Sequence, residues 1–444
     1  MQTESRKSLK RTAAVGLCAL LLVGLAGCGS DAGTSAEERT KNLMSDYKPS
    51  SGTGSPSKAA ASGSGSVSSL PEADVVTVTD FGVRLLQELP DTQENILVSP
   101  LSVMNALTMA ANGADGETLS QMEATLGANT ASLNSYLHDY NTSLPSGEKY
   151  RFHLANSLWL KDFEGFVVEE GFLQANADLL NAEIFKAPFH ADTLRDINDW
   201  VSDNTDGMIP NILDNIPPDA VTYLVNAVAF DAEWSTIYQE TQVRDGQFTN
   251  GDGAMQTVQM MYSTERTYLS GDHVQGFLKR YADGKYAFAA LLPDEGVDIM
   301  EFADSLTGES LHDMLCNTTE ITVHAAIPKF EAEYGITLNG SLQAMGMTAA
   351  FDDSAADFSA LGHSSDGNIY ISRVLHKTFI AVDEKGTKAG AATVIEMQDG
   401  CAIQAPPEEE SRTVYLDRPF LYVIIDCEEK LPIFIGIVQN VKEP

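Results

Sequence analysis

Between Val382 and Pro406 the chain has no proline, and the stretch opens on GTKAGAA (Gly386 to Ala392), small residues with almost nothing to pack. It follows the β-prone run Thr378-Phe379-Ile380-Ala381-Val382 directly. An ordinary exposed loop would carry Asn, Asp, Pro and Ser turn signals. A run without proline is instead free to become a β-strand along its length. Side chains two apart share one face of a strand. One face would carry Thr387, Ala389, Ala391, Thr393, Ile395 and Met397; the other would carry Lys388, Gly390, Ala392, Val394, Glu396 and Gln398. The first face is small and then apolar, suited to sliding over a core, whereas a flexible Gly/Ala linker would need no such alternation.

Glu384-Lys385-Gly386-Thr387 followed by Ala389-Gly390-Ala391-Ala392-Thr393 resembles the hinge of an inhibitory serpin's reactive-centre loop. About thirty residues on, Val414 to Ile424 (VYLDRPFLYVI) is similar to the serpin signature downstream of that loop. The resemblance implies an α+β serpin fold from residue 73 to 444. That fold has a large mixed central β-sheet, two further sheets, about eight or nine helices and an exposed loop at about 384–412. It also implies the function, irreversible suicide-substrate inhibition of a serine protease: the protease attacks the loop and forms an acyl-enzyme, and the cleaved loop enters the central sheet as a new strand. About 14 inserted residues at ~3.3 Å each would carry the protease some 45 Å. The alternative is a non-inhibitory serpin, a binding or chaperone-like surface protein; its hinge would commonly be bulky or charged where this one is small.

Counting from Glu384 by the usual inhibitory-loop length puts the reactive bond at Gly400-Cys401, with Asp399 and Ala402 as neighbouring alternatives. No Lys or Arg lies between Lys388 and Arg412, which disfavours trypsin-like targets. Small residues favour the shallow S1 pocket of elastase- or subtilisin-like enzymes.

The N-terminus reads as an export signal at residues 1–27. Arg6, Lys7, Lys10 and Arg11 precede an apolar run from Ala13 to Ala26, too short for a membrane span. Leu25-Ala26-Gly27-Cys28 resembles a bacterial lipobox with lipid on the Cys28 thiol. Residues 28–72, rich in Ser, Gly, Ala and Thr, read as a disordered tether. The expectation is a protein exported and held at the cell surface by that lipid alone, with the domain outside, monomeric, and with an extracellular serine protease as covalent partner. A net charge of −35, from 63 acidic and 28 basic residues, argues against nucleic acid or an anionic membrane surface as ligand. Cys316, Cys401 and Cys427 remain in the domain; a Cys401–Cys427 bridge is conceivable, and free thiols are the expectation.

VTVTDFGVRLLQEL, from about Val75, has apolar residues at helical spacing. Ser99-Pro100 is a cap followed by an N1 proline, opening a helix over Leu101 to Ala111. Ile197 to Ile209 reads as a polar helix stopped by Gly207, and Ala220 to Phe230 as a central strand covered on both faces. By resemblance Ser99, Asn226, Trp234 and His376 belong to the region where the sheet opens, His376 hydrogen-bonding near Ser99 and Asn226 to hold it shut. The sequence holds no G-x-S-x-G, H-E-x-x-H, C-x-x-C, Walker A or G-x-G-x-x-G, and its eight histidines are scattered. No enzyme activity, metal or cofactor is expected.

Overall fold

The computed structural model describes residues 40–49, 73–90, 94–144, 150–282, 284–365, 367–387 and 410–443. The chain opens with β1 (Lys41–Asn42) and a 3-10 turn, then α1 (Val75–Gln87), β2 (Ile96–Val98) and α2 (Pro100–Ala111). Next come α3 (Gly116–Leu126), α4 (Thr130–Ser143), β3 (Tyr150–Lys161), β4 (Val167–Val168) and α5 (Glu170–Leu180). The middle holds β5 (Glu183–Ala187), α6 (Ala191–Asn204), β6 (Thr222–Glu233), β7 (Val243–Thr249) and β8 (Met255–Gly271). They are followed by β9 (Val274–Arg280), β10 (Tyr286–Pro293), α7 (Ile299–Ser305), α8 (Gly308–Cys316) and β11 (Thr319–Pro328). After β12 (Phe330–Thr337), α9 (Asn339–Ala344) and β13 (Gly362–His363) come β14 (Arg373–Val382) and β15 (Gly386–Thr387). The chain closes with β16 (Ser411–Tyr415), β17 (Phe420–Asp426) and β18 (Leu431–Val438).

Among the described residues these form a seven-stranded mixed sheet, β1-β5-β3-β6-β15-β14-β12, a nine-stranded sheet and the small pair β13–β4. With nine α-helices among the described residues, this is the α+β architecture expected.

Local signals account for the helix starts. Asp74 caps α1 in a capping box with Thr77. Ser99 caps α2 with Pro100 at its first turn. All twelve residues of α2 are buried, so this helix lies inside the core beneath the central sheet. The polar helix differs from expectation at both ends: α6 begins at Ala191 and stops at Asn204. The stop comes from Thr205, whose hydroxyl donates to the Val201 carbonyl and accepts from the Ile209 amide, before Asp206 and Gly207 turn left-handed. Ile197 and Val201 of α6 are fully buried against Tyr223, Val225 and Ala227 of β6, each contributing roughly 2 kcal/mol. The opposite face of β6 places Leu224, Val228, Phe230 and Ala232 in the main core. The strand is therefore covered on both sides, as its apolar run requires.

Residues 40–49 fall within the stretch expected to be a bare tether, and there the structure differs. Lys41 and Asn42 pair antiparallel with Lys186 and Phe185 on the edge strand β5. The Thr40 hydroxyl donates to Asp196 of α6 at 2.5 Å, and Leu43, Met44 and Tyr47 pack part-buried on the core. An otherwise open sheet edge is thus closed by the chain's own N-terminal segment.

Candidate functional site

The hinge begins where β14 ends. Asp383 makes a tight turn, its carboxylate accepting the amides of Lys385 (2.7 Å) and Gly386 (3.1 Å). The chain then reverses, and Gly386 and Thr387 enter the central sheet between β14 and β6, antiparallel to both. Thr387 lies opposite Val382 on one side and Ala232 on the other. Gly386, with no side chain, is free to take unusual backbone angles, but that is not its use here. It does not adopt a left-handed angle; a Cβ there would stand 2.0 Å from the Ala232 carbonyl oxygen, so glycine is required by close approach.

Thr387 is fully buried and its hydroxyl meets the Tyr281 hydroxyl at 2.5 Å. Trp234 stacks on Tyr281 with ring centroids 4.5 Å apart, and its indole N–H donates to the Asp383 carbonyl at 2.9 Å. The backbone amides of Trp234 and Tyr238 donate to the carbonyls of Lys385 and Glu384, each at 2.8 Å. Glu384 also forms an ion pair with Lys329 at 2.6 Å. Partial burial works to raise the Glu384 carboxyl, but the hydrogen bond and charge of Lys329 outweigh it and hold the group below its usual range.

Below the hinge β6 and β14 pair directly and in parallel, from Phe379 opposite Ala229 down to Arg373 opposite Tyr223. The fully buried His376 sits in the middle of this seam. Its Nε2 accepts the Ser99 amide at 3.2 Å, and its Nδ1–H donates to the Asn226 side-chain oxygen. The Asn226 amide in turn donates to Ser102 and to Asn156 of β3. Burial pushes the His376 pKa down to about 3, so the ring is neutral and both nitrogens are used. The polar cluster bolts β14, β6, β3 and the start of α2 together across the closed seam.

The family profile described as Serpin (serine protease inhibitor) matches residues 76–441. The chain belongs to the serpin family. An uncharacterized serpin-like protein of Thermococcus kodakarensis is 31% identical, over 83% of this chain and 86% of that one. A leukocyte elastase inhibitor of Xenopus tropicalis is 30% identical, over 81% of this chain and 97% of that one. Tengpin, a thermophilic serpin, is 44% identical; its native-state structure superposes with a TM-score of 0.81 over 91% of this chain and all of that one. Tengpin's latent-state structure gives 0.72 over 83% of this chain and 98% of that one.

Within this serpin the expected opening residues divide into two groups. Ser99, Asn226 and His376 meet in the seam cluster. Trp234 belongs to the hinge, just past the end of β6 and eight residues along the chain from Asn226, or roughly 26 Å away. Of the hinge residues, Glu384, Gly386 and Thr387 are placed as above. Ala389, Gly390, Ala391, Ala392, Thr393, the reactive-bond candidates Asp399, Gly400, Cys401 and Ala402, and Cys28 lie outside the described residues. Cys316 and Cys427 are free thiols, as expected. Sequence reasoning missed Asn156 and Ser102, although polar residues inside the apolar runs LANSLWL and LSVMNAL were a visible signal. It also missed Tyr281 and Lys329, whose positions depend on non-local strand register.

Proposed function

We propose that this serpin is an irreversible suicide-substrate inhibitor of elastase- or subtilisin-like serine proteases, acting by cleavage of the loop after Thr387 and its insertion between β6 and β14. The observation that carries this reading is the seating of Thr387, the second residue of β15, between Val382 and Ala232. Continuing its register downward matches the remaining sequence to the slot it would enter. Ala389 would fall between Ile380 and Phe230, Ala391 between Thr378 and Val228, and Ile395 between Val374 and Leu224. Thr393 would arrive between His376 and Asn226, where a hydroxyl can replace the hydrogen bond that insertion breaks. On the other face Gly390 and Ala392 are small enough to pass beneath α6, while Lys388 would neighbour Asp231 and Glu396 would neighbour Arg373, both favourable cross-strand charge pairs. A non-inhibitory loop has no need of such a match.

The same reading takes Gly400-Cys401 as the bond attacked, the small residues there and the lack of a basic residue favouring a shallow S1 pocket. It takes the molecule as an exported monomer, lipid-anchored at Cys28, meeting its protease outside the cell. To test it, elastase, subtilisin and trypsin are each incubated with the soluble domain and then diluted into substrate. The expected result is time-dependent loss of elastase and subtilisin activity that dilution does not restore, with trypsin spared. Full recovery on dilution would overturn the proposal.

A further inference from the structure

Lys279 of β9 is a charged side chain in an unexpected place, only 3% exposed. Its ammonium donates to the Glu265 carboxylate at 3.0 Å and to the Thr236 carbonyl at 3.4 Å. It lies 4.3 Å from the centre of the Tyr238 ring and 5.3 Å from that of Trp234. Glu265 is itself held by the Ser263 hydroxyl at 2.7 Å, and Ser263 reaches the Tyr238 hydroxyl at 3.4 Å. The contacts close a ring, Lys279–Glu265–Ser263–Tyr238, around the segment Trp234 to Tyr238. Burial lowers the Lys279 pKa, and the Glu265 charge acts against that loss.

That segment is the one whose backbone and indole N–H groups bind the carbonyls of Asp383, Glu384 and Lys385. A buried ion pair is a poor device for stability alone, since apolar residues of the same volume commonly serve as well or better. Its directional bonds fix geometry instead. Resting on the inhibitory reading above, we infer that Lys279, with Glu265, is a positioning residue. It holds the 234–238 cradle in the shape that docks the hinge, and so sets the partition between inhibition and turnover as substrate. A hinge already paired on both sides serves as the nucleus for the incoming strand, and a loosened cradle would force each loop to nucleate after cleavage.

The test compares wild type with Lys279→Met, Glu265→Gln and the double variant Lys279→Met/Glu265→Met. The double variant removes both buried charges and so restores stability if one was lost. Two quantities are read: the moles of serpin consumed per mole of elastase inactivated, and hydrogen-exchange protection of the Trp234 and Tyr238 amides. We expect consumption to rise at least threefold in all three variants, the double included, with amide protection falling at least tenfold and the rate of loop cleavage unchanged. Wild-type consumption in the double variant would overturn the inference, because stability alone would then explain the single variants. Unchanged protection in every variant would overturn it as well. If wild type itself forms no stable complex, the inhibitory reading fails first and the inference falls with it, an outcome distinct from a wild type that inhibits and variants that match it.

Discussion

Replacing Thr387 by arginine tests the hinge most sharply. Thr387 is fully buried and touches the Tyr281 hydroxyl, which is itself enclosed by Trp234 and Phe230. An arginine seated there would leave an unpaired guanidinium among aromatic rings, a cost of about 3–5 kcal/mol. It would also lose the Thr387–Tyr281 hydrogen bond, worth about 1 kcal/mol. The arginine would therefore leave this seat in the native protein and have to be buried when the strand enters; even if only ~3 kcal/mol of that cost reaches the barrier, insertion slows about 150-fold. Deacylation by the protease proceeds at its own rate and is untouched. The Thr387→Arg protein should therefore be cut at the wild-type rate yet turn over as a substrate. Titration of elastase against each protein, with denaturing gels of the products, reads this directly. Thr387→Ser, which keeps the hydroxyl, should behave as wild type. An arginine variant that inactivates elastase with wild-type stoichiometry would refute the argument that residue 387 must enter the core.

His376 gives a pH signature. Burial holds its pKa at about 3 in the folded state, against about 6.5 unfolded, so as pH falls from 6.5 towards 3 the unfolded chain gains a proton that the native protein refuses. Stability should fall by about 1.4 kcal/mol per pH unit across that window from this group. His376→Gln should lose that part of the slope in urea midpoints taken at pH 7.5 to 4.5, and an identical slope would count against a neutral buried ring. Gly386→Ala should destabilise by about 1–3 kcal/mol, because its methyl group would meet the Ala232 carbonyl; an unchanged urea midpoint would remove the close-approach argument. A domain starting at residue 73 should be about 2–3 kcal/mol less stable than one starting at residue 40, having lost the part-buried Leu43, Met44 and Tyr47. Equal midpoints would mean that the docked segment contributes nothing. Thr393→Val should leave native stability unchanged but lower the melting temperature of the loop-cleaved protein by about 1–2 °C, one hydrogen bond being worth about 1 kcal/mol; an unchanged melting temperature would argue against the register.

The parts of the fold that were legible in the sequence are those specified locally. Ser99-Pro100 announces the start of α2 wherever that helix ends up. The apolar run around Asn226 can only be a strand buried on two faces. The alternation from Thr387 onward identifies the residue that faces the core before any partner strand is known. Other features arise from contacts between distant segments. Tyr281 reaches Thr387 because β9 ends beside β6, and nothing within ten residues of either reveals it. Lys279 reads in sequence as an ordinary surface charge closing a strand, and only the sheet register turns it inward. Thr40 to Asp46 sits in a polar, small-residue stretch, and its few apolar side chains gain order only from the edge of β5. The hinge glycine was legible as a glycine, but its reason was not: a close approach of two backbones requires it, and that approach exists only where β15 pairs with β6.

The central claim is that cleavage and insertion trap the protease covalently. The most direct measurement mixes the soluble domain with pancreatic elastase, then with elastase whose active serine is blocked, and resolves both on denaturing gels with mass spectrometry of the released C-terminal peptide. A band at the sum of the two masses is expected with active elastase only, together with a peptide whose first residue lies at or beside Cys401. Clean cleavage without that band, across a range of elastase concentrations, would contradict it.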